Sequence, residues 1–249
     1  MLDGNEPKNL KRRKLLLSTV GFLSVSACSA SKTVTAQSNQ SWRAAPGSPP
    51  DTANAGAWRF FTPEEGAAVE ALADRLIPPD PTTPGGREAG VAVFIDRQLA
   101  GPYGTSQALY MRPPFMDGTP TQGNQSPLTP AQRYRASLAA LDRHCRAAFA
   151  GKAFHDIPDD RKDELVTAME RNAPLLEGLS SKGFFDQLLR NTQEGFFADP
   201  VYGGNRDLVA WKMIGFPGAR YDYRDWVGRH NERYPLPPVG ITGRDGAPV

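Results

Sequence analysis

From Thr62 onward, apolar residues return at three- and four-residue intervals in successive stretches, separated by proline, glycine and short polar runs. The first holds Val69, Leu72, Ala73, Leu76 and Ile77 on one helical face. Thr62 supplies an N-cap, Pro63 suits the first helical position, and Glu65 completes a Thr-x-x-Glu capping box. Pro78-Pro79 stops the helix. A second helix is predicted from near Arg87, with Val91, Phe94, Ile95 and Leu99 as its stripe and Gly101-Pro102 as its end. Tyr103 to Pro127 shows no periodicity. A loop of that length inside a domain is usually functional or disordered.

The third helix repeats the rules of the first: Thr129 caps, Pro130 follows, and Gln132 completes the box. Its face is Tyr134, Leu138, Leu141, Cys145, Ala148 and Phe149. A fourth runs from about Asp159 to Arg171, with Asp159-Asp160 suited to a helix N-terminus. A fifth begins after Ser180-Ser181 and carries Phe184, Phe185, Leu188 and Leu189. Alternating β-branched runs are short and few, so the fold is expected to be mainly α, a single compact helical domain with long irregular loops.

Ahead of this domain the pattern changes. Lys11-Arg12-Arg13-Lys14 precedes a weakly apolar run, Leu15 to Ala27, interrupted by Ser18, Thr19, Gly21, Ser24 and Ser26. A basic start, a short apolar stretch and then small residues make an export signal, and the pair Arg12-Arg13 suggests the twin-arginine type. Lys11 stands where that consensus usually has Ser or Thr. The run falls short of the roughly 20 apolar residues that a spanning helix needs. Two processing sites remain open. Val34-Thr35-Ala36 fits cleavage before Gln37, and Val25-Ser26-Ala27-Cys28 resembles a lipobox in which Cys28 would carry lipid. The expected layout is a signal over 1–36, or a lipoprotein signal ending before Cys28. A disordered linker over 37–57, a helical domain over 58–234 and a flexible tail over 235–249 follow. Either processing route places the mature protein outside the cytoplasm, and a lipid on Cys28 would hold it at the membrane.

Composition narrows the function. Removing the signal leaves about 210 residues, enough for one domain with a core. The net charge of +2 is dispersed, with no basic face to fit nucleic acid. Of two cysteines, Cys28 lies in the signal, and Cys145 sits on an apolar stripe, which favours a buried thiol over a reactive one. The chain has no Gly-x-Gly-x-x-Gly, no Cys-x-x-Cys-His, no cysteine set for an iron–sulfur cluster and no Gly-x-Ser-x-Gly. His144, His155 and His230 are scattered, outside any His-x-x-x-His or Glu-x-x-His pair. Hence no catalytic, cofactor-binding or metal-binding residue is assigned to this chain.

The unusual stretch is Gly195 to Gly218, which sets aromatic residues between glycines. Asp199-Pro200 and Tyr202-Gly203-Gly204-Asn205 read as turns. Asn205 is placed to cap a short helix carrying Leu208 and Trp211, with Gly215 as its stop. Two readings stay open: a satellite core packed on the fifth helix, or a docking surface in which Tyr202, Gly203, Gly204, Asn205, Arg206 and Trp211 hold a partner.

Gly195-Phe-Phe-Ala-Asp-Pro-x-Tyr-Gly-Gly-Asn-Arg-Asp, followed by Trp211-Lys-x-Ile-Gly-Phe-Pro-Gly, is similar to the C-terminal signature of the gluconate 2-dehydrogenase subunit 3 family. Phe61-Thr62-Pro63-Glu64-Glu65 with Ala71 to Pro78 resembles the family's opening helix, and Ala89 to Leu99 its second. The resemblance implies a non-catalytic small subunit of a periplasmic sugar-acid or polyol dehydrogenase. In such complexes a large flavoprotein of the glucose–methanol–choline type holds FAD, and a cytochrome c subunit with haem c takes the electrons. The small subunit carries the twin-arginine signal, supports folding of the flavoprotein and takes it across the membrane. The alternatives are a periplasmic lipoprotein that acts as a binding module, and an independent enzyme.

Overall fold

Capping boxes open the first and third helices, where local sequence calls for them. Thr62 Oγ1 accepts the Glu65 amide and the Glu65 carboxylate accepts the Thr62 amide, at 3.2 and 2.9 Å. Thr129 and Gln132 repeat the exchange at 3.3 and 2.9 Å. The structure, a computed structural model, describes residues 56–116, 118, 119, 121, 122, 125–220 and 222–241. These lie within one compact unit, Ser41–Val249; the other, Met1–Gln40, lies outside the described residues. Arg12, Arg13, Cys28, the signal and nearly all of the linker therefore fall outside them too.

The helices are α1 (Pro63–Leu76), α2 (Val91–Leu99), α3 (Pro130–Ala148), α4 (Asp159–Glu170), α5 (Ser181–Phe197) and α6 (Val209–Ile214), joined by loops and single 3₁₀ turns. Among the described residues the only β-type pairing is an isolated bridge between Gly218 and Val239. The fold is helical, as the periodicity predicts. Helix α5 is central and packs on α1, α2, α3, α4 and α6. Its Phe184, Phe185, Leu188 and Phe196 enter a core shared with Val69, Leu72, Ile95, Leu99, Tyr134, Leu141 and Met169. Each such side chain contributes roughly 1.5–3 kcal/mol on burial, which outweighs helix propensity for segments this short.

Helix α2 starts at Val91 rather than near Arg87. The four preceding residues are held in turns by tertiary contacts. The Arg87 amide donates to Asp74 Oδ1 at 2.8 Å, and the Ala89 carbonyl accepts the Arg206 amide at 3.0 Å. Gly90 then takes φ 78° at the N-cap. A Cβ there would lie 2.7 Å from the Gly203 carbonyl oxygen, so only glycine fits.

Asp96, on α2, is completely buried. Its carboxylate accepts the backbone N–H groups of Arg59, Phe60 and Phe61, each at 2.9 Å, and pairs with Arg97. This stitches the chain ahead of α1 to α2. The same segment is gripped from α3: Arg135 stacks over the Phe60 ring at 4.3 Å, donates to the Phe60 carbonyl at 2.7 Å and pairs with Glu65. An aromatic series from Trp58 through Phe61 and Tyr134 to Phe184 carries the packing from this segment into α5. On the other side of α1, Arg75 spans to α4, bonding Asp159 at 3.1 Å and Asp163 at 2.6 Å.

No helix among the described residues is long and apolar enough to cross a membrane.

Candidate functional site

The glycine-rich stretch after α5 folds back on α5 itself. Asp199 Oδ1 caps the 3₁₀ turn Pro200–Tyr202 by accepting the Val201 amide at 3.0 Å. Gly203 follows at φ 101°. Gly204 then lies against the α5 backbone so closely that a Cβ would come within 2.0 Å of the Gly195 carbonyl oxygen. A second 3₁₀ turn, Arg206–Leu208, leads into α6.

Asn205 does cap α6, from a distance. The N-cap position itself belongs to Leu208, whose side chain cannot accept a hydrogen bond. Asn205 is completely buried with φ 46°; its Oδ1 accepts the Ala210 amide at 2.9 Å and its Nδ2 donates to the Ala198 carbonyl at 2.9 Å. One amide thereby joins the end of α5 to the start of α6. Trp211 adds a second link: its Nε1 donates to the Phe197 carbonyl at 2.9 Å. Gly215 ends α6 at φ 71°.

The six residues singled out by sequence thus fall into two groups. Gly204, Asn205 and Trp211 are buried and hold α6 on α5, while Gly203 shapes the turn between them. Tyr202 is 41% exposed, and the Arg206 side chain is exposed and makes no ion pair among the described residues. Farther along the chain lies a surface that residue type alone did not reveal. Met213, Ile214 and Phe216 are exposed by 50%, 58% and 44%, although α6 is only six residues long. The spacing gave a sign only for Met213, which two residues after buried Trp211 falls on a different helical face; Ile214, three residues on, and Phe216, which stacks on Trp211 at 5.0 Å, carried none.

A groove of about 440 Å³ borders this surface, with Trp211, Lys212 and Phe216 on one wall and Tyr234, Pro235 and Leu236 on the other. Its second wall is the stretch expected to be the start of a tail. Within it Pro237, Val239 and Ile241 hydrogen-bond to the domain. The Ala219 amide donates to the Val239 carbonyl at 2.7 Å, the Ile241 amide donates to Asp199 Oδ2 at 2.7 Å, and Arg220 donates to the Pro237 carbonyl.

A separate cavity of about 240 Å³ lies between α1, α3 and the turn at Phe154, lined in part by Glu64, Asp142, Arg146 and His155. Its one hydroxyl, Thr62 Oγ1, accepts the Glu65 amide as the cap of α1. Asp142 is bonded to Arg146 at 2.7 Å. Among the described residues no three His, Cys, Asp or Glu side chains are grouped to hold a metal ion. Cys145 is fully buried, and burial, with help from Asp142, pushes its thiol up to about 11.

The geometry describes a helical protein whose most developed feature is a surface shaped by glycine contacts rather than a reactive cavity. The family model described as gluconate 2-dehydrogenase subunit 3 matches residues 63–218, from the start of α1 to the glycine that pairs with Val239. The chain belongs to that family, and so to the accessory subunits of multi-subunit dehydrogenase complexes of this kind. No curated protein and no solved structure matches it.

Proposed function

We propose that this protein is the non-catalytic small subunit of a periplasmic, FAD-dependent sugar-acid or polyol dehydrogenase, and that it supports folding and twin-arginine export of the flavoprotein large subunit. The observation that carries the reading is the exposure of Met213, Ile214 and Phe216 on one short segment, with Tyr202 and Arg206 exposed on the turn before it, while Gly204, Asn205 and Trp211 hold that stretch on α5. Large apolar side chains clustered on one short segment mark an interaction site, and Tyr and Arg are favoured anchors. In this reading FAD belongs to the large subunit, of the glucose–methanol–choline type, and haem c to a cytochrome subunit. This chain contributes binding surface and the export signal.

The test is localisation. Arg12→Lys with Arg13→Lys is expected to leave both this protein and its flavoprotein in the cytoplasm. Unchanged periplasmic amounts of both would defeat the reading. Purified alone, the protein is expected to show neither flavin nor haem absorption.

A further inference from the structure

One cation stands apart. Arg75, Arg87, Arg97, Arg135 and Arg146 each pair with a carboxylate. Arg220, also partly buried and with an unpartnered Nε, differs in that its guanidinium stacks on Tyr234 and donates to the Pro237 carbonyl. Arg133, on α3, has no carboxylate within ion-pair distance among the described residues, although it is half-buried. Its Nη1 donates only to a neutral acceptor, Gln187 Oε1, at 3.2 Å. Its Nη2 is buried and has no hydrogen-bond partner among the described residues. Loss of solvent lowers the guanidinium pKa, an effect the Tyr103 hydroxyl opposes.

The surroundings are polar and ordered. Gln187 Nε2 donates to the Tyr103 hydroxyl at 3.3 Å. That hydroxyl meets Asn191 at 3.1–3.2 Å, and Asn191 also receives the hydroxyl of fully buried Tyr134 at 3.0 Å. The Glu194 carboxylate is taken by Asn191 Nδ2 at 3.0 Å and forms no ion pair with Arg133. A charged donor held in low dielectric without a counter-ion is costly, and costly features of this kind cluster at functional sites.

We propose that Arg133, with Gln187 and Tyr103 around it, is the seat of a carboxylate that the described residues do not supply. A carboxylate outcompetes the amide oxygen of Gln187 because a charge-assisted bond is about twice as strong. A single negative charge matches a single cation, whereas a dianionic phosphate would be left short of charge and would meet Glu194 beyond Asn191. Tyr103 is 38% exposed and opens the long loop, so access lies at that loop's start. The carboxylate comes either from an Asp or Glu side chain of a partner subunit or from a small organic acid. The first source rests on the accessory-subunit reading above; the second does not.

Two arms separate them. In the first, full-length protein with isotope-labelled arginine is titrated with sodium acetate against sodium chloride at equal ionic strength. The Arg133 side-chain resonance is identified by its loss in Arg133→Gln. A saturable shift with acetate alone supports a small-acid site. In the second, wild type and Arg133→Gln are each co-expressed with the large subunit. Binding weakened about ten-fold or more, with the melting temperature of the free variant unchanged or raised, supports a partner carboxylate. Removing an unpaired, desolvated charge does not cost stability, so that combination is the signature of a vacant ion-pair position. No acetate-specific shift together with full retention of the partner by Arg133→Gln overturns the proposal. So does a lowered melting temperature with both other readouts at wild-type level, which would make Arg133 a packing residue. If wild type itself retains no large subunit, the accessory-subunit reading fails, and the acetate arm alone decides this one.

Discussion

Asp199 and Ile241 stand 42 residues apart in sequence and are joined by a 2.7 Å hydrogen bond from the Ile241 amide to the Asp199 carboxylate. The other carboxylate oxygen caps the turn at Val201. One side chain thus sets both the start of the glycine-rich turn and the far wall of the groove beside α6. Asp199→Ala is expected to cost about 1–3 kcal/mol, since two backbone donors lose a largely buried acceptor. Amide hydrogen exchange should accelerate at Ile241 and Val201 together; acceleration at Val201 alone would show that the groove wall is held by other contacts.

Gly204 is the position least tolerant of a side chain. Gly204→Ala should destabilise by about 1–3 kcal/mol or more, because the new methyl meets backbone, which cannot rotate away. Gly228→Ala is the control: it is exposed, and a Cβ there meets nothing within 4 Å. Its effect should stay within about 0.5 kcal/mol in denaturant unfolding. Similar losses at both sites would refute the close approach of the turn to α5.

The two groups of candidate residues make opposite predictions. Tyr202→Ala and Arg206→Ala should leave the melting temperature nearly unchanged and release the large subunit, with anchors of this type worth about 2 kcal/mol or more. Trp211→Ala should instead cost about 3–5 kcal/mol of folding stability, the range for a buried tryptophan. Co-purification and thermal melts on the same three variants decide it. A destabilised Arg206→Ala that still holds its partner would move the contact elsewhere.

Cys145 yields a pH prediction. Its thiol is raised to about 11 in the folded chain, above the ordinary range near 8.5. The unfolded chain therefore loses this proton first as pH climbs. The stability that the neutral thiol contributes is complete below the ordinary thiol range and is lost as pH rises toward the folded value. At about pH 8 a thiol reagent should label Cys145 only on addition of denaturant. Rapid labelling of native protein would contradict its burial.

The sequence was most informative where structure is decided locally. Thr62 with Glu65, and Thr129 with Gln132, bond within one helical turn, so their spacing is itself the mechanism. The start of α2 was misplaced because Arg87 and Ala89 are held by Asp74 and Arg206, one of them more than a hundred residues away. Proline-rich Pro235 to Pro238 reads as tail because the contacts at its end, Arg220 on the Pro237 carbonyl and Gly218 and Asp199 on Val239 and Ile241, leave no trace in its own composition. Tyr202 and Trp211 look alike as candidate anchors; only the fold turns one outward and the other onto Phe197. Arg133 occupies an ordinary polar position of an amphipathic helix, and nothing along the chain indicates that its neighbours would be Gln187 and Tyr103.

Asp96 has a mechanical consequence. Tension applied to the domain from its N-terminal side passes Ala57 and Trp58, held by Arg97 and Phe61, and then meets Arg59, Phe60 and Phe61, whose amides are all tied to that one carboxylate. Three bonds converging on one anchor share the load instead of breaking in succession. The anchor in turn sits on α2, which bears on the central helix. Pulling from this end therefore strains the core at once, and the domain should yield abruptly at a high force, where an untethered lead-in would peel away gradually at a low one.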